Sequence, residues 1–123
     1  MTRARQRARA FGLRAESMAA VWLRLKLYRI IERNFAALGG EIDIIAQRGS
    51  VIIFVEVKAR PHLRMAQEAI NQVKIARISR AARFWLSRNK WAANLSLRGD
   101  AVFISPRGLP MHVTDAFTLD LFR

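Results

Sequence analysis

Two consecutive apolar stretches carry acids where a sheet interior is expected. Gly40-Glu41-Ile42-Asp43-Ile44-Ile45-Ala46 and Val51-Ile52-Ile53-Phe54-Val55-Glu56-Val57-Lys58 flank the turn signal Gln47-Arg48-Gly49-Ser50. Runs of β-branched and aromatic residues around a short glycine-containing connection predict a hairpin. The second run is apolar at both alternating positions as far as Val55, which predicts a central strand covered on both faces. The chain has only 9 acidic residues against 22 basic ones, yet it spends three acids and a lysine on this hairpin. Charge in such a setting is costly unless it is paired or bound to a metal.

The rest of the pattern builds one domain around that hairpin. A length of 123 residues suits a single core. An apolar fraction of 52% excludes general disorder. A helix is predicted over about Arg9–Leu25, apolar nearly all round and therefore well buried. A first strand follows at Leu27–Ile31, then a loop over Asn34–Gly40, and the hairpin strands Glu41–Ala46 and Val51–Lys58. A long helix is predicted over Met65–Arg88, with Ile70, Ile75, Ile78, Ala82, Trp85 and Leu86 on one side and a basic stripe on another. Asp100–Ser105 reads as a fourth strand and Pro110–Val113 as a short edge strand. Thr114 or Asp115 can cap a brief terminal helix through Leu121. The order α-β-β-β-α-β-β-α predicts an α/β domain with a mixed sheet.

Charge and composition narrow the partners. The net charge is +13, mostly arginine, which forks onto phosphate. DNA or RNA is the first expected partner and an anionic membrane the second. The absence of cysteine excludes a disulfide framework, a thiolate zinc site and a cysteine nucleophile, and it suits a reducing compartment. No apolar run is long enough to span a bilayer. The acid-free segment 1–10 is expected to be a flexible basic arm preceding a domain over 11–123.

In a strand, residues two apart point the same way. Glu56 and Lys58 therefore share a face with Ile52 and Phe54, and Asp43 shares one with Glu41 and Ile45. A register placing Asp43 near Glu56 makes a carboxylate pair beside an amine, and the sequence leaves that register open. Such a pair suits a hard divalent ion, Mg2+ or in its place Mn2+. Asp43 and Glu56 are the expected ligands, with the Val57 carbonyl helping and Glu16 approaching from the first helix. Lys58 can orient or deprotonate an attacking water, or steady negative charge on phosphorus. Glu41 is expected only to support. The alternative is a structural network in which Lys58 pairs with a carboxylate.

The motifs carry a resemblance. Gly12-x-x-Ala15-Glu16-x-x-Ala19, Arg33-Asn34, Gly40-Glu41-Ile42-Asp43, Phe54-Val55-Glu56-Val57-Lys58-x-Arg60, Lys74-x-x-Arg77-Ile78 and Arg98-x-Asp100-Ala101-Val102 resemble the bacterial UPF0102, or YraN-like, family. That family is similar in fold to archaeal Holliday-junction resolvases of the PD-(D/E)XK nuclease superfamily. The resemblance covers about Gly12 to Asp120. It implies a restriction-endonuclease-like domain and a bacterial cytoplasmic setting. It also implies a metal-dependent endonuclease acting on DNA, branched or otherwise structured, with Asp43, Glu56 and Lys58 as catalytic residues and Glu16 in the helical acidic role. Two symmetric cuts in a junction imply a homodimer. A non-catalytic nucleic-acid-binding protein on the same fold is the competing reading.

Outside this centre, Arg60, Lys74 and Arg77 are the expected phosphate contacts. Gln72 reads equally well as a solvated position. His62 and His112 lack the companions a zinc site needs. Trp22 and Trp85 read as core. Trp91 and Tyr28 can stack on bases or pack inside, with packing favoured. Asp100 is expected to support the site or the fold without binding metal.

Overall fold

A computed structural model describes residues 2–59 and 70–122 of the chain. Helix α1 spans Arg3–Leu25, followed by strands β1 Arg29–Ala37, β2 Gly40–Arg48 and β3 Val51–Ala59. Helix α2 spans Gln72–Arg88, a 3-10 turn covers Lys90–Ala92, and strands β4 Ser96–Ile104 and β5 Met111–Phe117 complete the domain. The strands lie in the order β1-β2-β3-β4-β5. Only β3 and β4 run parallel; the other neighbours are antiparallel. A parallel pair needs a crossover, and α2 lies within that connection. This is the expected single α/β domain with a mixed sheet flanked by helices.

The sheet separates two apolar layers. On one face Ala15, Ala19, Ala20 and Leu23 of α1 pack on Ile44, Ala46, Ile53, Val55, Val102 and Ile104. On the other, Ile78, Ala81, Ala82 and Trp85 of α2 pack on Ile45, Ile52, Phe54 and Phe117. The alternation of Ile53 and Val55 into one layer with Ile52 and Phe54 into the other makes β3 the two-sided central strand its composition predicts.

Several boundaries differ from the sequence reading. The basic segment expected to be a flexible arm is helical from Arg3, capped by the Thr2 side chain, which accepts from the Arg5 N–H at 3.2 Å. Arginine, glutamine and alanine are good helix formers, and their propensity carries the helix outward. α1 is also not buried all round: Leu13, Met18, Val21 and Leu25 are exposed, and Trp22 is only half-buried rather than core. A lone helix on a sheet buries one face, whatever its composition. The expected loop over Asn34–Gly40 shrinks to a tight turn, because β1 continues to Ala37. Leu38 and Gly39 both take positive φ, 53° and 76°, as a primed hairpin turn requires.

The terminal helix does not form. Thr114–Phe117 belongs to β5, which pairs with β4, with Val102 opposite His112. Phe117 is buried against Gly99, and this ladder and burial outweigh a local cap. The start expected for the long helix at Met65 lies outside the described residues. α2 itself is capped at Asn71, whose side chain accepts from the Lys74 N–H at 3.0 Å.

Candidate active site

The site is where β2 and β3 part. Their ladder runs from Arg48↔Val51 to Ile44↔Val55 and stops. Asp43 and Glu56 are the next positions on either strand. Beyond Val55, β3 keeps only β4 as a paired neighbour as far as Ala59↔Ile104. The backbone N–H of Val57 would lose its partner there. Instead it donates to Asp43 Oδ2 at 2.8 Å, so an aspartate side chain replaces the missing strand.

A cleft of about 660 Å³ opens at this point. Its floor comes from Asp43, Glu56, Val57, Lys58 and Ala59 of the sheet, with Glu41 beside them. α1 contributes Arg7, Phe11, Gly12, Ala15 and Glu16, and α2 contributes Lys74, Arg77 and Ile78. Gly40 sets the α2 wall in place. A side chain there would collide with the Arg77 carbonyl, so the glycine lets β2 abut the helix backbone.

The two carboxylates are compensated unequally. Burial drives the Asp43 carboxyl up to about 8, and the Glu56 charge adds to it against the Val57 hydrogen bond. Burial likewise raises Glu16, opposed by a hydrogen bond from Asn34 and by Arg33, and reinforced by Glu41 and Glu56. Glu56 Oε1 holds Lys58 Nζ at 3.1 Å and Lys74 Nζ at 3.5 Å. Burial lowers the Lys58 ammonium, and its hydrogen bond with Lys74 lowers it further. That same bond raises Lys74. The two amines are thus shifted in opposite directions, the buried Lys58 down and the more exposed Lys74 up.

Sequence comparison places this arrangement. The sequence profile of "Uncharacterised protein family UPF0102" matches residues 15–104. The chain belongs to the UPF0102 family. Among its UPF0102 relatives, that of Methylobacterium nodulans is 53% identical over 120 residues, covering 95% of this chain and 93% of its own. The relative from Methylorubrum extorquens is 54% identical over 109 residues, covering 89% and 85%, and that from Bartonella tribocorum 46% identical over 118 residues, covering 94% and 91%.

In this UPF0102 member, Glu16, Asp43, Glu56, Lys58, Lys74 and Arg77 line one cleft. Arg60 and His62 lie outside the described residues. Among the described residues no group of three or more histidine, aspartate or glutamate side chains converges tightly enough to hold an ion. The carboxylates at the end of the β2–β3 ladder are Asp43 and Glu56. Two oxygen donors of like charge beside a gap in the sheet fit a hard divalent cation that keeps much of its own water shell. Glu16 stands on the cleft wall, at the distance of electrostatic influence.

Some participants were invisible in the sequence. Arg7 reaches the cleft because α1 extends through the segment read as an arm, and Phe11 joins it from within the expected helix. Asn34, quoted only as a motif residue, takes φ 54° in β1 and bonds Glu16. An asparagine that tolerates left-handed backbone was the available signal. Asp100 and His112 are far from isolated. Asp100 is fully buried and accepts from Arg98 Nε at 2.7 Å, Arg98 Nη2 at 2.8 Å, His112 Nε2 at 2.7 Å and the Asp115 N–H at 3.0 Å. With Nε2 donating, His112 Nδ1 accepts from Lys26 Nζ at 2.6 Å. Arg98 also donates to Tyr28 Oη at 2.9 Å, so Tyr28 is a core residue, as favoured.

Proposed function

We propose that this UPF0102 protein is a Mg2+-dependent endonuclease that hydrolyses phosphodiester bonds in DNA, with branched or otherwise structured DNA as its substrate. The observation that carries the reading is the like-charged pair of half-buried Asp43 and buried Glu56, beside a lysine, in a cleft of a chain with net charge +13. Such an arrangement destabilises the empty protein and favours a cation there. Asp43 and Glu56 would hold the ion, Mg2+ or in its place Mn2+, which when bound supplies positive charge to the phosphoryl group and acidifies water.

The chain's own groups do the rest. Lys58 Nζ, pushed toward the free amine, accepts a proton from the attacking water. The water oxygen attacks phosphorus in line, the bond to the opposite alcohol oxygen breaks, and that oxygen takes a proton from solvent. Lys74, held charged, would hold a non-bridging phosphate oxygen. Arg77, on the α2 wall, contacts a flanking phosphate, and Arg60, two residues after Lys58 in sequence, takes the same role. Two copies acting together would make paired cuts in a junction, in the bacterial cytoplasm. The test is incubation of linear, flapped, single-stranded and four-way-junction DNA and matched RNA with wild type and Lys58→Ala, in Mg2+ or Mn2+. Cleavage lost in the variant is expected; binding without cleavage of any substrate refutes nuclease activity.

One observation favours a second reading. Glu56 is already held by two lysines, and the described residues assemble no three-ligand cluster. A non-catalytic nucleic-acid-binding protein would keep that network. Calorimetric titration with Mn2+ separates the two: heat that disappears in Asp43→Ala supports the metal site, and none in wild type supports the binding protein.

A further inference from the structure

Three glycines sit inside regular elements of the domain, and packing accounts for two. A side chain at Gly40 would strike the Arg77 carbonyl, and one at Gly99 would lie 2.6 Å from the Phe117 ring. Gly12 is different. It lies within α1, away from either end, where glycine weakens a helix relative to alanine through backbone entropy. It does not take a positive φ, and an added Cβ would meet no atom of the described residues outside its own helix within 4 Å. Gly12 is one of the residues that line the cleft, with Phe11 and Glu16. Glu16 is four residues on, hence the neighbour one turn along the same side of the helix.

We propose that Gly12 is a seat for the substrate strand: the sugar of the nucleotide whose phosphate reaches Asp43 and Glu56 rests on the bare backbone of α1. This rests on the nucleic-acid reading of the cleft given above. Among the described residues no packing contact accounts for the missing side chain, and the seat gives that gap a use. Phe11 borders the seat on its apolar side. Arg7, five residues back and about 7.5 Å along the axis, is placed for the next phosphate of the strand. A methyl group at position 12 narrows the approach next to the carboxylates and holds the strand off them. Gly12 is thus a positioning residue that admits a sugar–phosphate backbone at close range.

The test compares full-length wild type, Gly12→Ala and Gly12→Val. Thermal midpoints are measured without DNA. Affinity for labelled single-stranded and four-way-junction DNA is measured at fixed salt with Ca2+ in place of Mg2+. The seat predicts opposite signs. Gly12→Ala raises the midpoint by about 3–5 °C through helix propensity, while DNA affinity falls about tenfold, and Gly12→Val weakens binding more. A stabilised Gly12→Ala that binds DNA like wild type overturns the seat alone. A lowered midpoint shows that the chain itself needs the gap and also overturns it. Wild type with no affinity for either DNA overturns the nucleic-acid reading together with the seat.

Discussion

Asp43 and Asp100 lie on the same five-stranded sheet, and the protein treats them in opposite ways. Asp100 has no exposed surface, and its two oxygens accept four hydrogen bonds. Burial alone would push its carboxyl up, but the bonds from His112, Arg98 and the Asp115 N–H outweigh that and hold it near 2. Asp43 receives one backbone N–H and faces Glu56, Glu16 and Glu41, so the balance tips the other way, to about 8. The charge at Asp100 is fully answered by groups of the chain and serves the fold. It ties β4 to β5 and, through His112 and Lys26, to the end of α1. Among the described residues the Asp43 carboxyl has no comparable set of donors. Compensation, rather than burial, sets the direction in which each carboxyl is shifted.

That contrast can be broken by exchanging the consequences. Lys58→Ala and Asp43→Ala should each lower cleavage by about 10³-fold or more while leaving the urea midpoint nearly unchanged or raised. A variant that cuts normally would erase the distinction on the functional side. Asp100→Ala should cost roughly 3–5 kcal/mol, because it strands Arg98 and His112 in the interior. Chemical denaturation reads this, and a loss below 1 kcal/mol would mean that the network contributes little.

Gly40→Ala should cost roughly 1–3 kcal/mol by forcing β2 away from α2, and should weaken cleavage as Arg77 and Lys74 shift. Equal activity and stability would show that the α2 wall is not set by this contact. The pH dependence sharpens the comparison most. A carboxyl raised in the folded state binds its proton more tightly there than in the unfolded chain. Metal-free protein should therefore lose the Asp43 contribution as pH rises from about 4 to about 8, and Asp43→Asn should flatten that slope. The Asp100 contribution runs oppositely: present above about 4, it is lost as pH falls toward 2. Urea titrations of the two single variants across this range should show slopes of opposite sign.

How much was legible follows from the range over which each signal acts. The hairpin was readable because alternation and turn chemistry are local. The helix limits, the length of β1 and the fate of the C-terminal segment were not. At Thr114–Phe117 a cap signal competed with strand pairing to β4, and pairing to a distant segment has no local mark. At Thr2–Arg9 the charge suggested an arm, while propensity and a single cap made helix. Asp100 and His112 are 12 residues apart and meet only through the β4–β5 register. Arg98-x-Asp100, opposite charges at strand spacing, was the one trace of that network.

The sequence by itself determined the class of domain, the central strand, the family and the chemical character of the site. Those follow from residue type, alternation over a few positions, and motifs that stay contiguous along the chain. Only the tertiary structure decided that the β2–β3 ladder ends at Ile44↔Val55, that Asp43 then takes the Val57 N–H, and that α1 and α2 wall the resulting gap. It also decided which carboxylate is answered by the chain and which is not. Hydrogen bonding and desolvation depend on the complete three-dimensional surroundings of a group, and those come from strands and helices far apart in sequence.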